Sequence, residues 1–540
     1  MRCPGARPLL RITSAWAKQT AAGSPLPHLS SNASRAGARL LPCAVSSALL
    51  CGCMLGPNYA TPPPPLSEQW RGADGISVTA EPADYRTWWS IFADPALDSL
   101  IAQAYANNTD LASAGARVLE ARARRGLARA DLFPQDHSAR GGLAFTDPSA
   151  QTATARASAA AGGSGPSGAL REWSLGYDAS WEIDLWGKYR RAIEAADAEM
   201  LASIATYDDV LVSLLGEVAS EYVRYRTLQK RMAVARRNLD IQQQSFEIAD
   251  VRFRGGAVTE LDAAQAASLL ENTRALLPNL EAQLRISEHA LSVLLGVAPT
   301  ALPELHEGRA EIPVVPDVVR VGVPAELLRR RPDVRAAERR LAAQSARIGI
   351  AKTEYMPSLS LTGSIGVAAE DGVDLFKGSA LEAFGGPQFR WRILDFGRIA
   401  HEVRIQDARF QSLLSDYEGQ VLQAQREVEN AIASYRGARE QAIALEHSIA
   451  AAQRAVDLAL IQYREGAADY TRVLDTQQFL VEAHDRYVQI RGTEAASLVS
   501  LYRALGGGWE IREGSDFVSE RAKAQMRART AWGSMLDDHD

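Results

Sequence analysis

Residues Trp173–Trp186 read WSLGYDASWEIDLW, with apolar and polar residues alternating at a period of two. Trp173, Leu175, Tyr177, Ala179, Trp181, Ile183 and Leu185 fall on one face, and Ser174, Asp178, Ser180, Glu182 and Asp184 on the other. That is the pattern of a β-strand with two unlike sides. The longest segments around it read as polar helices, so the strand's apolar side needs a partner. A second stretch alternates as cleanly: residues 358 to 367, SLSLTGSIGV, place Leu359, Leu361, Ile365 and Val367 together.

Both stretches belong to a sequence written twice. ARARRGLARADLFPQ around Pro134 matches AAQSARIGIAKTEYMPS around Pro357 at an offset of 357 − 134 = 223, which Asp110 and Asp333 repeat. WEIDLWGK from Trp181 matches WRILDFGR from Trp391 at 210, as do Gly256 with Gly466 and Leu295-Gly296 with Leu505-Gly506. The offset changes between Pro134 and Trp181, where the first copy carries DPSAQTATARASAAAGGSGPSGA. Such a Ser, Ala and Gly tract is a flexible loop. Each copy reads helix, Pro, strand, loop, strand, Gly, long helix, Gly-containing turn, long helix. Strands are expected at about 135–147 and 172–186, and again at about 358–369 and 387–396.

No proline interrupts the chain between Pro166 and Pro278, or after Pro387, which permits long helices. From Lys188 to Phe253 a helix approaches about 100 Å at roughly 1.5 Å per residue. In the second copy Val421, Ala424, Val428, Ala431, Tyr435, Ala438, Ala442, Leu445, Ile449, Ala452, Val456, Ala459 and Tyr463 keep a strict spacing of three and four. This is a heptad seam, looser in the first copy through Leu211, Leu214, Val218, Tyr222, Tyr225, Leu228, Met232, Ala235 and Leu239. Its alanines let helices approach closely, as a closed ring of helices requires; a plain coiled-coil rod is the other reading.

Four two-faced strands cannot close around a lumen, and they leave edges unpaired unless several chains share one sheet. Three chains would supply twelve strands, an even number typical of outer-membrane barrels. The residues themselves read as a mainly α chain with four strands of membrane β type, on an internal two-fold repeat.

The net charge of −6, with basic residues interleaved among acids, argues against nucleic acid as a partner. All four cysteines, Cys3, Cys43, Cys51 and Cys53, lie at the start of the chain, and the histidines are scattered. No disulfide, thiolate site or His-based zinc site is therefore expected beyond residue 53, and no cofactor. Residues 35 to 53, RAGARLLPCAVSSALLCGC, have the layout of a secretory signal: basic residues, a short apolar run, then small residues. Leu50-Cys51-Gly52-Cys53 resembles a bacterial lipobox, with Cys53 as the lipidated first residue of the mature chain. The acyl group then holds the protein to membrane lipid.

Together these residues resemble the TolC-like outer membrane factors, in particular the lipoprotein branch typified by OprM and NodT. The matching motifs are WWSIFADPALDSLIAQAYANNTDLASA at 88 to 114, the two Pro-centred segments, VPAELLRRRPDVRAAERRL at 323 to 341, YREGAADYTRVLDTQ at 463 to 477 and LYRALGGGW at 501 to 509. The resemblance implies a fold that is mainly α with membrane β: a homotrimer in which four strands per chain contribute to a twelve-stranded β-barrel across the outer membrane, and long antiparallel coiled-coil helices form an α-barrel, a twelve-helix tunnel through the periplasm. It implies a passive duct for an efflux system, working with a periplasmic membrane-fusion adaptor and an inner-membrane RND-type pump. No enzyme is implied, and no nucleophile, Walker or dinucleotide motif is present. A duct for protein or oligosaccharide secretion is the alternative of the same class, and a lipid-anchored periplasmic coiled-coil scaffold that of another.

The same resemblance implies closure by the turns between paired helices, here at Gly255-Gly256 and Gly466. Asp262 matches an aspartate bonded to a tyrosine of the neighbouring hairpin, and Tyr463 matches that tyrosine. Asp475 matches an acid that rings the constriction, where threefold repetition would favour cations. Arg472 replaces a second acid and Ala468 a gate arginine, so Arg472 is expected to pair with Asp262 or Asp475. Without the resemblance, Asp262 and Asp475 read as solvated helix acids. Trp173 and Trp181, about 26 Å apart at roughly 3.3 Å per residue, suit the two interfacial girdles of a barrel. The division is leader 1–52, lipidated extended segment 53–87, first repeat 88–300, linker 301–322, second repeat 323–509, and a polar tail 510–540 given no structure.

Overall fold

A computed structural model of the 540-residue chain describes residues 54–63, 67, 69–71, 78–79, 84–147, 149, 151–161, 170–306, 310–322 and 330–537. The leader and Cys53 lie outside the described residues. Its principal helices are α1 (Pro95–Asn107), α2 (Thr109–Ala130), α3 (Lys188–Arg254), α4 (Glu260–Leu294), α5 (Pro332–Thr353), α6 (Arg398–Arg464), α7 (Tyr470–Ala504) and α8 (Glu520–Arg529). The main strands are β1 (Asp136–Thr146), β2 (Leu170–Ile183), β3 (Ser358–Ala369) and β4 (Leu381–Arg390).

The repeat recurs in element lengths. Helices α3 and α6 hold 67 residues each and start 398 − 188 = 210 apart; α4 and α7 hold 35 each, again 470 − 260 = 210 apart. Helices α2 and α5 hold 22 each and start 332 − 109 = 223 apart. At about 1.5 Å per residue the two longest span about 100 Å. Eleven of the thirteen heptad positions in α6 are buried, leaving Leu445 and Ile449 half-buried. These positions lie against α7 and α5. Small residues permit this closeness: a Cβ at Gly492 of α7 would meet Thr227 Oγ1 of α3 at 2.3 Å.

Each copy also joins a lower helix to an upper one in the same manner. Asn108 Nδ2 donates to the Leu294 carbonyl at 2.9 Å, and Arg331 Nη1 to the Ala504 carbonyl at 2.8 Å. The donors are 331 − 108 = 223 apart and the acceptors 504 − 294 = 210 apart. The final carbonyls of a helix lack internal partners, so a donor from the next helix caps one end while beginning the other. Arg331 also pairs with Asp333 at 2.6 Å and Glu427 at 2.8 Å. Burial alone would raise Asp333, but Arg331 holds its carboxyl below the usual range.

The strands form one antiparallel sheet in the order β1-β2-β3-β4. Directly opposed residues share a face. Register pairs Leu175 with Val367, Tyr177 with Ile365, Trp181 with Leu361 and Ile183 with Leu359. It also pairs Asp178 with Ser364, Ser180 with Thr362 and Glu182 with Ser360 on the opposite face, where Arg140 reaches Asp178 at 3.0 Å. No helix among the described residues is long and apolar enough to cross a membrane.

Two expectations are corrected. The last strand is Leu381–Arg390, not 387–396, so Trp391 stands outside it, whereas its match Trp181 lies within β2. The shared WEIDLWGK and WRILDFGR pattern marks the approach to a helix start, which overlaps the end of a strand in the first copy only. Asp184 accepts from the amides of Tyr189 and Arg190 at 3.3 and 3.0 Å, and Asp395 from Gly397 and Ile399 at 3.0 and 2.7 Å. Carboxylates there satisfy free amides of a helix N-terminus. The tail is also structured: α8 follows a short turn, and Phe517, Val518 and Leu536 are buried. Its backbone crosses α2 so closely that a Cβ at Gly115 would meet the Phe517 carbonyl oxygen at 1.9 Å.

The linker is a strap held on both long helices. Lys230 of α3 pairs with Glu311 at 2.8 Å, and Arg439 of α6 with Asp317 at 2.7 Å.

Candidate functional site at the hairpin tips

The far ends of α3 and α6 turn into α4 and α7 by the same backbone device. Gly256 has φ +72° and Gly466 φ +73°, a region that favours glycine. The Ala257 amide returns to the Arg252 carbonyl at 2.9 Å, and Ala467 to Gln462 at 2.8 Å. Gly255 differs: its φ of −77° is ordinary helical backbone, and its counterpart is Glu465. Of the expected turn glycines, only Gly256 and Gly466 are required by conformation.

Between the hairpins lies a small apolar cluster of Ala249, Ala266, Ala459, Tyr463, Tyr470 and Val473. Tyr463 is buried and meets Tyr470 edge-on, with ring centroids 5.3 Å apart. Its hydroxyl donates to Asp262 Oδ2 at 3.3 Å, so two expected gate residues are brought together. Burial, reinforced by the Asp262 carboxylate, pushes the Tyr463 phenol up to about 12. The phenol therefore remains a donor throughout the physiological range.

Arg472 does not join this pair. Its guanidinium donates to Gln462 Oε1 at 3.2 Å, and no ion pair among the described residues links it to Asp262 or Asp475. For Asp262 the reason is reach within one chain: Arg472 sits in the first turn of α7, beside the last turn of α6, while Asp262 opens α4. Asp475 stands exposed. Two contributors went unrecognised in the sequence. Arg252 lies over the Tyr463 ring at 4.7 Å from its centroid, and Gln477 Nε2 donates to Ser245 Oγ at 2.6 Å just above the tip. The 210 offset aligns Arg252 with Gln462, so like residues were never there to be noticed.

At the opposite end of the helices the sheet has two ends of its own. Trp173 pairs across with Leu143 and Ala369, toward the connecting loops. Trp181 lies at the helix end, and its Nε1 donates to the Leu132 carbonyl at 3.1 Å. The extended segment following Cys53 is fastened at that level. The Leu55 amide donates to the Trp186 carbonyl at 3.1 Å, and buried Arg191 donates to the Leu55 carbonyl at 3.1 Å and Asn58 Oδ1 at 2.9 Å.

The family model for outer membrane efflux proteins matches residues 100–297 and 323–507. The chain belongs to the outer membrane efflux protein family. Among similar proteins, the pyoverdine export outer membrane protein OpmQ of Pseudomonas aeruginosa is 33% identical over 475 residues, covering 86% of this chain and 96% of that one. Nodulation protein T of Rhizobium leguminosarum bv. trifolii is 32% identical, with the same coverage. The solved outer-membrane channel OprN superposes with a TM-score of 0.79 at 32% identity, covering 85% of this chain and all of that one. As a family member the chain is an outer-membrane efflux channel protein that extends into the periplasm. No group of metal-ligating side chains occurs among the described residues.

Proposed function

We propose that three copies of this chain form the passive outer-membrane duct of an RND-type tripartite efflux system, exporting small molecules handed on by a periplasmic adaptor and an inner-membrane pump. The observation that carries the shared wall is the unequal treatment of the repeat. After β2, Trp186 Nε1 donates to the Pro357 carbonyl at the entrance to β3, so the first copy's exit docks on the second copy's entrance. The same offsets, 186 + 210 = 396 and 357 − 223 = 134, send Phe396 to Pro134. Within one chain that contact is unmade, and Phe396 is 98% exposed beside Leu394 at 85%. A neighbouring copy supplies the missing entrance, letting β4 pair with its β1 and removing both open edges.

In that assembly the face of Trp173, Leu175, Tyr177 and Trp181 meets lipid, with the two tryptophans near the interfaces. The face of Asp178 and Glu182 lines a wet lumen. Three Asp475 carboxylates surround the narrow end and favour cations. Cys53 carries the acyl anchor, supported by the grip on residues 55 to 58 at the base of the sheet. Detergent-purified protein is expected to migrate as a heat-modifiable trimer and to conduct in planar bilayers; a monomer without conductance is the result for a scaffold. Cys53→Ser is expected to abolish labelling by radioactive palmitate while leaving the trimer intact, and retained label would remove the anchor assignment.

A further inference from the structure

We infer that Arg252 is a positioning residue of the closed duct, fastening the α3–α4 hairpin to the end of α6 and holding Tyr463 where its hydroxyl meets Asp262. This rests on the gate reading of Tyr463 and Asp262. Arg252 lies in the last turn of α3. Its Nη1 donates to the carbonyls of both Tyr463 and Arg464, the latter at 3.0 Å, while the guanidinium covers the Tyr463 ring. Those carbonyls belong to the final turn of α6, where partners are scarce and the helix dipole is negative. A cation there is favoured by the helix end and by the ring face together. A flat guanidinium with several donors meets both at once; a compact ammonium does not. Three helix ends are thereby linked in series: α3 through Arg252, α6 through Tyr463 and α4 through Asp262.

The repeat supplies an internal comparison. Shifting each residue by 210 turns Arg252 into Gln462, Tyr463 into Phe253 and Asp262 into Arg472. Phe253 has no hydroxyl, and Gln462 is engaged by Arg472 of its own hairpin at 3.2 Å. The fastening is therefore confined to one of the two repeat-related seams, the one between the hairpins of a single chain. A feature needed merely to end a long helix would have been kept in both copies, as the turn glycines were.

The test uses the full-length lipidated trimer in planar bilayers, with resistance of the trimer to detergent as the check on assembly. Arg252→Ala is expected to raise the open-to-closed ratio about a hundredfold, matching loss of the Tyr463–Asp262 bond, about 1 kcal/mol, in each of three copies. The double variant with Tyr463→Phe should open no further than either single, and Arg252→Lys should recover only part of closure. Multiplying effects in the double variant would show that Arg252 does not act through Tyr463 and overturn the assignment. So would an Arg252→Ala trimer that loses detergent resistance while its opening ratio stays put, or one that gates normally when Tyr463→Phe opens. If Tyr463→Phe, Asp262→Ala and Arg252→Ala all leave opening unchanged, the gate reading falls first and this inference with it.

Discussion

Removal of a single oxygen, by Tyr463→Phe, is expected to shift the open-to-closed ratio of the reconstituted duct about a hundredfold. The bond from the Tyr463 hydroxyl to Asp262 is 3.3 Å long and its acceptor is half-buried, so its net worth is about 1 kcal/mol. A threefold duct loses three such bonds together, about 3 kcal/mol, and each 1.4 kcal/mol is about a factor of ten. Phenylalanine retains the packing on Tyr470 and the face presented to Arg252, which isolates the hydroxyl. Asp262→Ala should also open the duct but is less clean, because Asp262 lies in the first turn of α4 and offsets its dipole. Single-channel recording checks both, and unchanged opening in both removes the pair from the gate. The phenol is raised in the folded state from its usual value of 10.0 to about 12, so its contribution is complete below pH 10 and is lost as pH rises toward 12. Closure should accordingly show no loss attributable to Tyr463 across the physiological range.

Asp208→Ala is expected to lower stability by about 3–5 kcal/mol, because it leaves a largely buried cation without its partner. Asp208 is 0% exposed and accepts from Arg512 at 2.6 and 3.3 Å, with Arg335 3.7 Å away. Burial pushes its carboxyl pKa upward, and Arg512 draws it back down. This contact ties the C-terminal tail to α3, and Arg512 also lies over Phe517, 5.1 Å from its ring centroid. The substitution should free the tail, read as early proteolytic clipping after residue 510 and a lower midpoint for thermal loss of the trimer. Asp208→Leu combined with Arg512→Leu should recover much of the loss, since an apolar pair leaves no orphaned charge. Equal stability of wild type and Asp208→Ala would show that the tail is not held by this pair.

The repeat made the helices legible because every turn of a long helix obeys the same local rule. The seam from Val421 to Tyr463 could be read one residue at a time, and its burial follows the spacing. Alternation located β2 and β3 for the same reason, and the repeat placed β1. It failed at β4, where the match of Trp391 to Trp181 carried the expected strand into the helix start. There the likeness records a shared task, an aspartate capping α6, and the capping residue has moved by one position between copies. In the tail, Phe517 and Leu536 are too sparse to show a period; the backbone at Phe517 needs Gly115 of α2 to leave room, and Leu536 packs on Leu119 and Val518.

At the hairpin tips, Tyr463 and Asp262 were found through resemblance, while Arg252 had no signal of its own. Arg472 was expected to seek a carboxylate because opposite charges attract, yet a nearby Gln462 satisfies it. For Asp262 the reason is distance along the fold, since it lies on the other hairpin; Asp475, three residues on in α7, stays exposed and unpaired with Arg472.

By itself, then, the sequence determined the duplicated plan, the length of the first long helix, the two-faced strands and the turns at Gly256 and Gly466, all of them consequences of periodicity and local backbone preference. Only the tertiary structure decided which seam is fastened, where β4 ends, how Asn108 and Arg331 splice one helix onto the next, and that Asp208 holds the tail. Those contacts join residues tens to hundreds of positions apart, and no local rule of spacing specifies them until the helices are laid side by side.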